Sequence, residues 1–139
     1  MQLDRRSWVE KAQEHLACAE ALLEARQFAN AFYLAGLAVE CGLKACIARR
    51  FASETWPDRD FVNRIHTHSF PALVALADLE ADLRAECVRS TDFNDAWTDV
   101  SVWSVSSRYA LVIPEARARA MVDAVGASDY GVLPWLSRR

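Results

Sequence analysis

Apolar residues recur along this chain at helical spacing, in blocks separated by turn-forming residues. Val9, Ala12, Leu16, Ala19 and Leu23 repeat at intervals of three and four, while Glu10, Lys11, Glu14, Glu20 and Glu24 take other directions. This pattern predicts a first helix over residues 4–26, with Asp4 or Ser7 as its cap. Residues 27–28 leave room only for a tight antiparallel turn. Over residues 28–51 charge is confined to Glu40, Lys44, Arg49 and Arg50. Ala31, Ala35, Ala38, Gly42 and Ala45 form one stripe of small side chains, against which another backbone can approach closely. Phe32, Leu34, Leu37, Val39, Leu43 and Ile47 fill the remaining directions, so this second helix must be covered nearly all round.

Residues 54–67 read as a polar connection in which Trp56, Pro57 and Asp58 signal a turn. Ser69 then caps a third helix with Pro71 in its first turn. That helix runs through Phe70, Leu73, Val74, Leu76 and Ala77 toward Leu83 and Val88. Ser90, Thr91 and Asp92 cap a fourth, carried by Phe93, Ala96, Trp97 and Val100 and expected to reach Trp103 or Arg108. Val100, Val102 and the serine-rich run after them also alternate like a strand. Pro114 opens a fifth helix over residues 115–125, stopped by Gly126. Residues 127–139 are expected to lie irregularly against the body through Leu133 and Trp135. The fold class is therefore all-α, a single domain of five helices in which the second is central and wrapped by the others.

Composition agrees. With 139 residues the chain is one domain, and four glycines and four prolines are too few for a many-turned β fold. A net charge of −3 gives no general attraction to nucleic acid or to an anionic membrane. The N-terminal residues are charged where an export signal would be apolar, and Glu40 and Lys44 interrupt the one run long enough to span a bilayer. A cytoplasmic protein with no membrane partner is expected. Cys18, Cys41, Cys46 and Cys87 show no paired spacing and read as buried free thiols.

At the second helix the residues match a known pattern. The run from Ala31 through Tyr33, Ala38, Glu40, Leu43 and Lys44 to Ala45, with its Ala-x-Glu-x-x-Leu-Lys-Ala core, resembles the signature of HEPN domains. His68 ahead of Phe70 and Leu73 is similar to the histidine that opens the third helix in that family. Trp103 with Arg108 and Tyr109 is similar to the ending of its fourth. The resemblance covers residues 4–125. It implies an up-and-down bundle of four to five helices, usually homodimeric, in a prokaryotic cell; no cofactor is expected. It also implies a role either as a metal-independent endoribonuclease of toxin type or as an inactive module. Such modules bind an antitoxin, a nucleotidyltransferase partner, a nucleotide or RNA.

Catalytic members carry an arginine, a polar residue and then a histidine after three to five further residues, near the start of the fourth helix. No histidine follows His68 here. Arg59, Asp60 and His66 satisfy the spacing between the second and third helices, which makes Arg59 and His66 the candidate catalytic pair, with Arg64 and His68 as their alternatives across a dimer. Glu40 and Lys44, one turn apart in the favourable order, form either a polar pocket for a phosphate or carboxylate, or a self-satisfied buried pair. His68, Trp103, Arg108 and Tyr109 complete the candidate binding residues, since aromatic rings beside an arginine can stack bases or build an interface. His66 and His68 could both reach one metal, but no acidic or cysteine cluster with metal spacing accompanies them, so no metal is expected. His15 reads as a boundary residue of the first helix. The dimer has a physical argument as well: three covering helices would leave one side of the second helix, or the tryptophan-rich edge, for a second copy.

Overall fold

In a computed structural model, which describes residues 4–51 and 59–139, the chain is helical throughout with no strand among the described residues. Helix α1 (Arg5–Glu24) is capped by Asp4, whose carboxylate accepts from the Ser7 amide at 2.8 Å. Helix α2 (Phe28–Arg50) follows after one tight turn. Arg49 and Arg50 sit in its last turn, where cations suit the negative end of the helix dipole. The expected turn at Trp56, Pro57 and Asp58 lies outside the described residues.

Helix α2 is the axis of the molecule. Fourteen of its residues are buried, including Ala31, Ala35, Ala38, Gly42 and Ala45 of the small-residue stripe. A Cβ at Gly42 would stand 2.8 Å from Leu133 Cδ1, so at that point the close neighbour is the C-terminal segment. By length and composition α2 could cross a membrane, yet 78% of its most apolar window is buried within the fold, as befits a core helix. Helices α1, α7 (Glu115–Gly126) and α8 (Val132–Ser137) pack on it, with α4 (Phe70–Leu76) and a 3₁₀ turn at Val105–Tyr109.

Several expectations are corrected. The connection after α2 contains a short helix, α3 (Arg59–Ile65). The expected third helix breaks in two, α4 and α5 (Glu80–Arg89). Between them Asp78 adopts φ 58, and the Leu79 amide donates to Val74 O at 3.0 Å. That is the left-handed helix stop normally built on glycine. Helix α6 (Thr91–Ser101), capped by Ser90, ends before Trp103, and residues 105–109 continue as 3₁₀ rather than α or strand. The C-terminal tail is not irregular: α8 folds there and buries Leu133 and Trp135. The thiols are all free, but only Cys41 and Cys46 are buried, whereas Cys18 is exposed and Cys87 half-buried.

Candidate functional site

The centre of the site is a carboxylate in the interior. Glu40 projects from the middle of α2 and is 6% exposed. Lys44, one turn on and 8% exposed, approaches Glu40 Oε2 at 3.3 Å, and its ammonium lies 5.4 Å from the centre of the Trp8 ring on α1. The other carboxylate oxygen, Oε1, meets His68 Nδ1 at 2.7 Å. Each oxygen of the buried carboxylate therefore has a polar partner, as a charge removed from water requires. Lys44 is committed to this arrangement and to Trp8, so it does not stand open to a phosphate.

His68 belongs to the short link between α3 and α4. Ser69 caps α4 through the Ala72 amide at 3.4 Å, with Pro71 in the first turn, and this fixes where the link enters. The His68 side chain is 54% exposed. An ionised carboxylate only accepts hydrogen bonds, so Nδ1 carries the proton in the neutral imidazole and Nε2 is left as an acceptor. Nε2 has no hydrogen-bond partner among the described residues.

Trp103 stands next to this link. Its ring stacks on Phe70 at 5.0 Å and 8°, and on Tyr33 of α2 at 6.1 Å and 22°. Trp97 of α6 also meets Phe70, 6.5 Å away and tilted by 40°. Gly36 makes the arrangement possible, because a Cβ there would overlap the Trp103 indole. Beside these rings lies a pocket of about 300 Å³, walled by Phe70, Trp97 and Trp103 and edged by His68, Ser101 and Ser104.

Arg108 and Tyr109 lie beyond Tyr33. The Arg108 guanidinium donates to the Tyr109 hydroxyl and covers its ring at 4.7 Å, and it also interacts with Tyr33. Both residues are exposed, Tyr109 by 70%. Glu40, Lys44, His68 and Trp103 thus come together at one place, with Arg108 and Tyr109 one aromatic ring away.

Arg59 and His66 are not part of it. Arg59 opens α3 and His66 follows its last residue, so the two exposed side chains start two helical turns, about 10 Å, apart. No group of three or more metal-binding side chains occurs among the described residues. His15, half-buried on α1, has its pKa lowered chiefly by burial and next by Lys11, with Glu40 opposing more weakly. Burial pushes the Cys41 thiol up to about 11.

Phe70, Trp97 and the serines at the pocket edge complete a wall that sequence spacing alone does not define. Trp8 went unread as a partner of Lys44. Its only signal is a large aromatic residue on the first turns of α1. Comparison with protein-family models, with curated proteins and with solved structures gives no match to this chain.

Proposed function

We propose that this chain is a HEPN-like helical module that binds and assembles rather than cleaves. It acts as a homodimer and engages an antitoxin or nucleotidyltransferase partner, a nucleotide or RNA. The observation that carries this reading is the buried Glu40–Lys44 pair holding His68 at the rim of an aromatic pocket. Such an arrangement suits recognition: its walls are aromatic, its polar groups are few, and the Glu40 carboxylate is already paired. The two residues with ribonuclease-like spacing, Arg59 and His66, lie outside this site, Arg59 at the start of a short helix and His66 just past its end, both exposed.

Incubating the purified protein with RNA in the presence of a chelator, at high protein excess, tests the reading. Intact RNA is expected, together with saturable binding of RNA, nucleotide or partner that His68→Ala weakens. RNA cleavage abolished by His66→Ala or His68→Ala would replace this proposal with an endoribonuclease.

A further inference from the structure

We infer that the pocket beside His68 takes a single uncharged aromatic ring bearing one hydrogen-bond donor, a group the size of a phenol. This rests on the binding role proposed above and narrows it to one ligand chemistry. At about 300 Å³ the pocket lies at the lower end of small-molecule sites and takes one ring with room to spare. Its walls are Phe70, Trp97 and Trp103, which offer flat faces and ring edges. No lysine or arginine lines it, and its one ionisable side chain, His68, already faces the Glu40 carboxylate.

Polar selectivity then falls to His68. Because Nδ1 is occupied by Glu40, the imidazole meets a ligand only through Nε2. Nε2 accepts in the neutral ring, so the matching group on the ligand is an O–H or N–H. Ser101 at the edge reinforces that preference, because its Oγ spends its proton on Trp97 O and keeps lone pairs that accept, while Ser104 Oγ is bonded to Ser106 Oγ at 2.6 Å. The same donor ring could arrive free or as the tyrosine side chain of a partner.

The test is a titration followed by the indole N–H signals of Trp97 and Trp103 in 1H–15N spectra, at a pH where imidazole is neutral. The probes are p-cresol, 4-methylanisole, which lacks the donor, N-acetyltyrosinamide and adenosine monophosphate. The expected result is saturable binding of p-cresol, about three- to tenfold tighter than 4-methylanisole, as one hydrogen bond supplies. That preference should weaken in His68→Phe, whose partly exposed position tolerates the change. Binding of N-acetyltyrosinamide as well would identify a partner's side chain as the source, and binding of p-cresol without it a free small molecule. Equal affinity for p-cresol and 4-methylanisole would overturn the inference, as would p-cresol leaving both signals unmoved. If adenosine monophosphate or RNA moved them instead, the binding role would stand without this ligand class. Silence toward every probe, RNA and partner would remove both.

Discussion

Gly36 and Trp103 decide the shape of the site together. Since a Cβ at Gly36 would fall within the indole, Gly36→Ala must displace Trp103 from between Tyr33 and Phe70. A loss of about 3 kcal/mol or more in urea unfolding is expected, at the upper end of overpacking costs, with a shift in tryptophan emission. An unchanged midpoint would contradict the packing described. His15 gives a second test. Its folded pKa is depressed by burial, so the unfolded chain binds the proton more readily and protonation favours unfolding. The stability it contributes is present above the unfolded value and lost as pH falls from there through the lower folded one. The urea midpoint should decline below about pH 6.5, and His15→Gln should make that decline shallower. The pairing of Glu40 with Lys44 was legible from their spacing of four. The third partner, His68, was not, because a contact across 28 residues of chain depends on how the α3–α4 link enters.

Helix ends explain most of what the apolar pattern missed. The starts were readable because Asp4, Ser69 and Ser90 each accept a hydrogen bond from an amide of the first turn. The stops were harder, since two of them use left-handed residues that are not glycine, Arg26 at φ 60 and Asp78 at φ 58. After α1 the Gln27 amide donates to Leu22 O at 2.8 Å, the same closing bond as after α4. With no glycine at residue 78, an apolar run from Phe70 to Val88 reads as one helix although the chain turns in the middle. Asp78→Gly should therefore stabilise the fold by about 1 kcal/mol, the cost of a left-handed side chain, measured as a higher urea midpoint. A fall in stability would mean that the Asp78 side chain itself holds the turn. The tail was misread for a related reason: Gly131 and Pro134 look like breakers, but the proline falls in the first turn of α8, where it is tolerated.

At the scale of the whole molecule, the sequence argument for a dimer changes its footing. It assumed that three helices could not cover α2, yet α1, α4, α7, α8 and the 3₁₀ turn surround it within one chain, and Trp103 and Trp135 are buried there. Beside the isolated Val62 and Val88, what is apolar and open among the described residues is the stretch holding Val102, Tyr109, Leu111 and Val112, with Leu111 94% exposed. If the proposed homodimer forms through this edge, sedimentation equilibrium should give a dimer at micromolar concentration, and Leu111→Asp with Val112→Asp should return it to monomer. A wild-type chain that stays monomeric would count against the assembly. The all-α class and the central helix were legible because burial on every side demands an apolar sequence on every side. The pocket was not, since its walls come from α4, α6 and the segment after α6, which no periodicity joins.

The account turns on His68 being held through Nδ1 by a buried carboxylate. A long-range 1H–15N spectrum of the imidazole, recorded where the ring is neutral, reports which nitrogen carries the proton. Hydrogen bonding to an ionised Glu40 carboxylate calls for the Nδ1–H form of His68, lost in Glu40→Gln while His66 is unaffected. An Nε2–H tautomer in the wild-type protein would contradict the site and the binding roles built upon it.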